Sequence, residues 1–131
     1  MKEIYIVKHK FGAIGLRLIG LGPKFMPVNG LRKLKILFDE NTFWAKNRTF
    51  KNIKIMLAKS DVIISIWLDQ DLIGFGRASS DNSYRAVLWD VVVNKKFQGK
   101  GYGKEIIKSL LSSQKLKHVE NVYIMTTNCF D

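Results

Sequence analysis

Cysteine, proline and long hydrophobic runs are scarce in this chain of 131 residues, which has one cysteine and two prolines. The single cysteine, Cys129, cannot form an internal disulfide, and a reducing, intracellular setting is therefore the default expectation. No run of about 18 apolar residues occurs, so we expect no membrane-spanning helix. The most apolar early segment, residues 11–22, is interrupted by Arg17 and lacks a small-residue cleavage site, which argues against a signal peptide.

Acidic residues are scarce in the N-terminal half. Residues 1–60 contain 13 Lys and Arg against 3 Asp and Glu, whereas residues 61–131 contain 9 against 8, and the net charge is +11. A basic half could attract nucleic acid, an anionic surface or an anionic cofactor. The simplest interpretation is a solvated, lysine-rich face. Nucleic acid is disfavoured because this half lacks interleaved aromatic residues and helix-turn-helix spacing.

Hydrophobic spacing predicts two helices in this basic half. The first begins at Asn29 or Gly30 and runs through Phe38, and the second runs roughly over residues 49–59, each with one apolar face. The preceding residues, 1–29, are harder to interpret. Residues 3–7 and 16–19 could each be a short strand, but glycines and prolines break the segment and favour an irregular N-terminal arm.

The hydrophobic period then changes from helix to strand. Apolar runs at residues 62–68, 72–78 and 84–93 are separated by short polar turns, which predicts an antiparallel meander. A helical pattern follows over residues 101–115, and a last strand over residues 121–127. A strand, a helix and a strand in succession imply a right-handed parallel crossover. The fold class is therefore mixed α/β, with a meander followed by a parallel β-α-β unit.

Glycines are concentrated between the third strand and the helix. The valine run at residues 91–93 leads to Gly99, Gly101 and Gly103 at alternate positions. A strand, a glycine loop and a helix N-terminus together are typical of a phosphate-binding site, because backbone N–H groups converge on one concavity. The spacing excludes both the Walker loop, which needs a hydroxyl after the lysine, and the Rossmann fingerprint, which needs Gly-x-Gly-x-x-Gly.

The remaining pattern is Gln-x-x-Gly-x-Gly, which residues 98–103 match in full. After a strand that ends in Val-x-x-x-Phe, this pattern resembles the acetyl-CoA loop of the GNAT acyltransferase superfamily. The order of elements agrees over roughly residues 31–128. Residues 72–78 and 88–93 are most similar to the plastid and cyanobacterial branch, which includes plant enzymes described as serotonin N-acetyltransferases. The resemblance implies the GNAT acyl-CoA N-acyltransferase fold.

The resemblance also implies a cofactor site. The amides of residues 98–104 would hold the pyrophosphate, and the backbone of residues 91–93, freed by a bulge that splays the strand, would pair with the pantetheine arm. A backbone N–H near Val92 would be the oxyanion donor. The implied cofactor-binding residues are Val91, Val92, Val93, Gln98, Gly99, Lys100, Gly101, Tyr102, Gly103, Lys104 and Asn128.

Asp90 is the candidate catalytic residue. It is the only ionisable side chain in residues 86–93, and a carboxylate inside a hydrophobic strand is unfavourable unless it is bonded or functional. By strand alternation it shares a face with Leu88 and Val92 and lies opposite Trp89. It could take the proton of the amine, orient the substrate, or tie down a neighbouring loop, and these alternatives stay open.

The other candidates are weaker. Arg77 and Tyr84 are expected on the surface of the meander, and His9 and His118, which lack any partner pattern, are expected to be exposed. Cys129 is a thiol near the implied cofactor but is more simply a small apolar residue. No cluster with metal-ligand spacing is visible, and no metal is expected.

The general acid of the family is missing from the chain. GNAT proteins usually carry a tyrosine in a helix after the last strand seen here, and residues 129–131 resemble the entry to that helix. The resemblance therefore implies that a GNAT domain at residues 30–131 lacks its final helix and strands, with weak or absent turnover. Whether the sequence is a fragment or a natural short chain stays open.

The implied function is N-acetyl transfer from acetyl-CoA, as co-substrate, to a primary amine by direct attack. The amine could be a protein lysine, a protein N-terminus or an arylalkylamine. The alternatives are a catalytically weak acyl-CoA-binding remnant and, less favoured, a basic nucleic-acid-binding protein. No membrane partner is expected, and a homodimer is left open. The expected location is cytoplasmic, or the plastid stroma in a plastid-bearing organism.

Overall fold

A five-stranded mixed sheet organises the chain, and the computed structural model describes residues 2–124. From residue 30 onward the predicted order of two helices, a meander and a parallel unit is confirmed, and Asn128 and Cys129 lie outside the described residues. In chain order the strands are β1 (Ile4–His9), β2 (Val62–Leu68), β3 (Asp71–Ser80), β4 (Arg85–Val93) and β5 (Asn121–Ile124). The helices are α1 (Ile14–Ile19), α2 (Gly30–Asn41), α3 (Phe50–Lys59) and α4 (Tyr102–Leu111).

The strands lie side by side in chain order. The pairs from β1 to β4 are antiparallel, and β4 pairs with β5 in parallel, in the register Arg85–Asn121 to Leu88–Ile124. The predicted meander and the parallel unit are thus both present. Of the predicted last strand, residues 125–127 lie outside the described part of the chain.

Helices α2 and α3 form where the apolar spacing predicts them. In α2 the buried side chains include Leu34, Leu37 and Phe38, which share one face at intervals of three and four residues. Helix α3 starts at its N-cap Thr49, whose hydroxyl oxygen accepts a hydrogen bond from the N–H of Asn52 at 3.1 Å. The capping bond fixes where α3 begins, and therefore fixes the loop between α2 and α3.

Two hydrophobic clusters lie on opposite faces of the sheet. On one face, α1, α2 and α3 cover side chains that include Trp67, Phe75 and Val92. On the other face, Ile106 and Leu110 of α4 pack on apolar side chains of the sheet, namely Val62, Ile64, Ile66, Ile73, Ala78, Ala86, Leu88, Val91 and Val93. Strand β2 is buried on both faces, which explains its nearly continuous apolar sequence.

Glycines in β3 let α4 approach the sheet. A Cβ added at Gly76 would overlap the Cγ2 of Ile106, a methyl group on the rigid branch of that side chain, whereas one at Gly74 would lie 3.1 Å from its flexible end, Cδ1. We therefore expect Gly76→Ala to lower the free energy of unfolding by about 1–3 kcal/mol through overpacking, with a smaller loss for Gly74→Ala. Urea denaturation of the two variants measures the difference, and equal losses would contradict this account of the packing.

The N-terminal segment departs from its prediction. Residues 4–9 form a strand, as one interpretation allowed, but they pair with β2 and belong to the sheet rather than to an irregular arm. Residues 16–19, expected as a strand, lie in the short helix α1, which buries Leu16 and ends at Gly20 with φ of 71°. Glycine accepts this left-handed cap without a Cβ penalty. The start of the GNAT domain at residue 30 stays a prediction.

His9 is another departure, because it is half-buried rather than exposed. Strand alternation turns it inward with Val7, and its Nε2 lies 2.6 Å from the hydroxyl of the fully buried Ser65. Ser65 also accepts a hydrogen bond of 2.8 Å from the indole N–H of Trp67. The Ser65 hydroxyl therefore contacts both the Trp67 indole and the His9 ring. Burial lowers the pKa of His9 to about 4. His118 is exposed, as expected.

His9 should make the protein sensitive to mild acid. Because its folded pKa lies below its unfolded value of about 6.5, the neutral form stabilises the fold fully above pH 6.5, and this contribution falls as the pH decreases towards 4. The total loss is at most about 3 kcal/mol. His9→Gln retains an acceptor for Ser65 but does not titrate, so urea midpoints between pH 7 and 4.5 should shift less than in the wild type. Parallel pH profiles would contradict the assignment.

Candidate active site

The glycine loop begins directly after β4 and is tied to it. The side chain of Asn94 accepts a hydrogen bond from the N–H of Lys96 at 2.9 Å, which closes a short turn over Lys95–Phe97. The side-chain amide of Gln98 then donates to the carbonyl of Val93 at 2.9 Å. These two bonds hold the loop against the end of the strand, so the position of the loop is set by the sheet.

The backbone of the loop leaves its N–H donors without acceptors among the described residues. Gly99 and Gly101 have φ of 78° and 88°, values that glycine adopts without strain. The first hydrogen bond of α4 runs from the N–H of Glu105 to the carbonyl of Gly101 at 3.0 Å. The N–H groups of residues 98–104 donate to no acceptor within residues 2–124. A helix N-terminus with such a series of amides attracts anions.

The space at the loop suits a phosphate group. A Cβ added at Gly101 would meet no atom within 4 Å, so the space there is open. Lys100 and Lys104 are exposed beside it, and the ammonium of Lys100 lies 5.6 Å from the ring centre of Phe97. The side chain of Tyr102 packs on the α4 cluster, so only its backbone faces the loop.

A bulge interrupts the pairing of β3 with β4. Between the opposed pairs Phe75–Val92 and Arg77–Trp89, β3 has one residue and β4 has two, Asp90 and Val91. Asp90 takes φ of 53°, in the left-handed region that aspartate tolerates better than most residues. The expected bulge is therefore present, and the candidate catalytic residue forms it.

The bulge changes which residues share a face. Leu88 and Val91 both pack against α4, whereas Val92 packs in the cluster under α2. Asp90 bonds to Arg77, and Arg77 also stacks on Trp89, so Asp90 and Trp89 lie on one side. The expectation that Asp90 shares a face with Leu88 and lies opposite Trp89 is wrong, because simple alternation does not pass through an extra residue.

The register beyond the bulge decides which backbone groups of β4 are free. The N–H of Asn94 donates to the carbonyl of Ile73 at 2.8 Å, so this opposed pair is hydrogen-bonded. Opposed pairs in an antiparallel ladder alternate between bonded and non-bonded. Val92, opposite Phe75, is therefore bonded to β3, and the N–H and carbonyl of Val93 point away from it. The N–H of Val92 itself is directed at β3, and an oxyanion donor from a backbone N–H near Val92 stays a prediction.

Asp90 is the centre of a buried polar cluster. Its side chain is 4% exposed and accepts hydrogen bonds from Arg77 at 2.8 Å, from both terminal nitrogens of Arg48 at 2.9 and 3.1 Å, and from the indole of Trp44 at 3.1 Å. Trp44 and Arg48 come from the loop between α2 and α3. The carboxylate therefore joins this loop to the bulge of β4.

The electrostatics of the cluster keep Asp90 ionised. Burial alone would raise the pKa of the carboxyl, but the hydrogen bonds and charges of Arg48 and Arg77 outweigh burial and hold its pKa below the ordinary value. The arginines are also supported by rings, since the guanidinium of Arg48 lies 5.2 Å from the centre of Phe38. A carboxylate with both oxygens bound in this way is a weak base.

Residues 31–130 match the acetyltransferase (GNAT) family. The chain belongs to the GNAT family.

This GNAT chain is similar to several proteins named as N-acetyltransferases. It is 34% identical to "uncharacterized N-acetyltransferase ycf52" of Porphyra purpurea, over 92% of this chain and 70% of that protein. It is 35% identical to "GCN5-related N-acetyltransferase 2, chloroplastic" of Arabidopsis thaliana, over 41% of this chain and 21% of that protein. The chain spans about half the length of similarly named relatives from Pyropia yezoensis, Gracilaria tenuistipitata and Prochlorococcus marinus.

Solved structures share the GNAT fold at low sequence identity. An aminoglycoside N-acetyltransferase, AAC(6')-Iy in complex with CoA, superposes with a TM-score of 0.65 at 15% identity, covering 97% of this chain and 79% of that one. Such a likeness shows the fold alone. The mixed α/β GNAT architecture predicted from the sequence is confirmed.

The GNAT fold brings the predicted site residues together at one end of β4. Asp90 lies in the bulge, residues 91–93 follow it, and residues 98–104 form the loop and the start of α4. Their roles stay predictions, and Asn128 lies outside the described residues. Among residues 2–124, no group of three or more His, Cys, Asp or Glu could hold a metal ion, and no helix is long and apolar enough to cross a membrane.

Three residues of the cluster were missed or misjudged. Arg77, expected on the surface, is 18% exposed and bonded to Asp90, and Trp44 and Arg48 were not considered as site residues. Nothing in the sequence pairs Arg48 with Asp90, which is 42 positions away. The available signal was the unusual aspartate itself, since a buried carboxylate requires cationic or hydrogen-bonding partners. Tyr84 is exposed, as expected.

Proposed function

We propose that this chain binds acetyl-CoA and transfers the acetyl group to a primary amine. The observation that carries the proposal is the loop of residues 98–104, where a series of N–H groups without an acceptor in residues 2–124, open space at Gly101 and the N-terminus of α4 coincide. A pyrophosphate carries the charge and the acceptor oxygens that such a cradle takes. Lys100 and Lys104 would add positive charge.

The edge of β4 would hold the pantetheine arm. Val93 presents its N–H and carbonyl away from β3, so an amide of the arm can pair with it as an added strand would. Its carbonyl already accepts one bond from Gln98 and has a second lone pair. Val91, two residues earlier and packed on the same face, supplies the next backbone position. This arrangement fits the cofactor implied by the sequence.

The bound cofactor would supply the acetyl group as a thioester. The residues of this chain would orient it and exclude water, while the neutral amine attacks the carbonyl carbon, the carbon–sulfur bond breaks, and the amine proton leaves to solvent. We assign Asp90 to fixing the bulge and the α2–α3 loop, because two guanidinium groups stabilise its ionised form. The amine could be a protein lysine, a protein N-terminus or an arylalkylamine.

Calorimetric titration with acetyl-CoA, with ATP as a phosphate control, tests the binding step. We expect saturable binding of acetyl-CoA at least about tenfold tighter than that of ATP. Release of free CoA thiol in the presence of a lysine peptide, a free N-terminal peptide or an arylalkylamine tests transfer. Equal affinity for ATP, or binding of duplex DNA alone, would contradict the proposal. Binding without thiol release would favour an acyl-CoA-binding protein.

A further inference from the structure

A pocket lies against β1, the edge strand on the side of the sheet away from the glycine loop. It has a volume of about 430 Å³, within the range of small-molecule sites. Strands β2 and β3 separate β1 from the β4 edge proposed to bind acetyl-CoA. Its lining residues are Val7, Lys8, His9, Lys10, Phe11, Ala13, Ile14, Gly15, Leu16, Leu21, Gly22, Lys24 and Phe25. We call this the β1 pocket.

Exposed aromatic residues line the β1 pocket. Phe11 and Phe25 are 83% and 84% exposed, which is unusual for phenylalanine. Both also take the left-handed backbone conformation, with φ of 55° and 58°. Bulky residues rarely adopt this conformation, and strained backbone is common at binding sites. The chain therefore holds two large apolar side chains in water beside an apolar concavity, where a ligand with an apolar part would cover them.

The charge around the β1 pocket has one sign. Lys8, Lys10 and Lys24 are among its lining residues, and residues 4–38 contain no Asp or Glu. None of these lysines forms a salt bridge within residues 2–124, although the ammonium of Lys24 lies 5.1 Å from the ring centre of Tyr5. Lys8 alternates with Val7 and His9 and therefore points to the other face of β1, and Lys24 is engaged by Tyr5, so Lys10 is the cation at this concavity. An apolar concavity beside an unpaired cation is complementary to an amphiphile with an anionic head.

His9 adds one polar ring to this lining. Its Nε2 lies 2.6 Å from the Ser65 hydroxyl, and burial lowers the pKa of the ring to about 4, so it is neutral at pH 7. Nδ1 has no partner within the described residues 2–124. The remaining inner lining is aliphatic. The β1 pocket therefore has an apolar interior with few polar groups, which is the usual composition of a site for a small, largely apolar ligand.

We propose that the β1 pocket binds an anionic amphiphile, an alkyl or acyl chain with a carboxylate or phosphate head. The alkyl or acyl chain of the ligand would pack on Phe11, Ile14 and Phe25, and its head would meet Lys10. This site is separate from the acetyl-CoA loop. It stands whether or not the chain transfers acetyl groups, because no residue of the loop or of β4 takes part in it.

Titration with decanoate, below its micelle concentration, tests the proposal, with decanol as the probe that lacks the charge. We expect saturable binding of decanoate and at least about tenfold weaker binding of decanol. Ile14→Trp should block the pocket from an exposed position, and Lys10→Glu should repel the head, each weakening decanoate binding by at least about tenfold. Ile55→Trp on α3, where the isoleucine is similarly exposed at 45%, is the matched control and should bind as the wild type does.

Thermal unfolding of each variant separates loss of the pocket from loss of the fold, and Lys10→Glu, on the surface, retains the test if Ile14→Trp unfolds. Vesicles of phosphatidylglycerol and of phosphatidylcholine distinguish a lipid head group from a free acid. Tighter binding to phosphatidylglycerol vesicles than to decanoate would identify a lipid as the source. Unchanged decanoate affinity in both pocket variants, equal affinity for decanol, or a dimer that buries the pocket would overturn the proposal.

Discussion

Replacing Asp90 with alanine should lower the free energy of unfolding by about 2–4 kcal/mol. The substitution leaves the guanidinium groups of Arg48 and Arg77 without a counter-charge inside the protein, and it removes the acceptor of the Trp44 indole. Losing one partner of a fully buried ion pair is still more destabilising, but these arginines are 28% and 18% exposed, and water partly compensates them. Urea denaturation at pH 7 measures the loss.

Further variants separate the causes of this loss. Asp90→Asn keeps the size and the tolerance for positive φ but removes the charge, whereas Asp90→Gly relieves the backbone and removes the side chain. In the Asp90→Ala background, changing both arginines to methionine should recover part of the stability, because no unpaired charge then remains. If the triple variant is no more stable than Asp90→Ala, the ion pairs are not the cause.

The same variants distinguish an anchoring role of Asp90 from the predicted catalytic role. A general base is lost entirely in Asp90→Asn, which would then fold and bind acetyl-CoA normally without transferring the acetyl group. An anchor loses stability and cofactor affinity together. The pKa of Asp90 is held low, so its contribution is complete above the usual carboxyl range and disappears only as the pH falls through the lowered pKa. A rate that rises with a pKa near 7 would therefore report another group.

Replacing Gly101 with glutamate should weaken acetyl-CoA binding by ~100-fold or more, which corresponds to about 2.7 kcal/mol. The new side chain would enter the open space and place a carboxylate where the pyrophosphate is proposed to bind, at the positive end of α4. The fold should lose only about 1 kcal/mol, from the non-glycine residue at positive φ. Calorimetry gives the affinity, and thermal unfolding gives the stability.

Gly101→Lys is the matched control for Gly101→Glu. It imposes the same backbone strain and a side chain of similar length, but with the charge that attracts phosphate. We expect its affinity for acetyl-CoA to lie between those of the wild type and Gly101→Glu. A glutamate variant that binds within threefold of the wild type would show that residues 98–104 do not hold the phosphates, and equal losses in both variants would show that bulk rather than charge is decisive.

Most of the fold was predictable because its elements are specified locally. Strand β2 was predicted with its observed ends, since its apolar run is bounded by polar residues, and Thr49 marked the start of α3. Helix α1 was not predictable in this way. Its six residues are too few to show a helical period, and what fixes them is tertiary, namely the burial of Leu16 and its close approach to Gly30. The pairing of β1 with β2, nearly 60 positions along the chain, is equally non-local.

The glycine loop of the candidate site was predictable from the sequence, whereas the surroundings of Asp90 were not. Glycines at alternate positions before a helix indicated the loop, because only glycine adopts positive φ without strain. Gly99 and Gly101 do have positive φ. The environment of Asp90 was not predictable, because it depends on Arg48 and Trp44, which only the folded α2–α3 loop brings close. His9 shows the same limit. Its place on the inward face follows from alternation, but its partner Ser65 follows from the pairing of β1 with β2.

The extra residue in β4 shifts the alternation of side-chain faces along that strand by one position. Before Asp90, even-numbered positions such as Ala86 and Leu88 face α4, and after it odd-numbered positions such as Val91 and Val93 do. Deleting one residue here would therefore not simply shorten the strand. On one side of the deletion it would exchange the side chains that face α4 with those that face the opposite layer of helices. Since residues 91–93 are buried on both faces, each of them would then meet the wrong neighbours. An alignment of relatives that places a gap in this strand away from position 90 would, for the same reason, pair residues from opposite sides of the sheet.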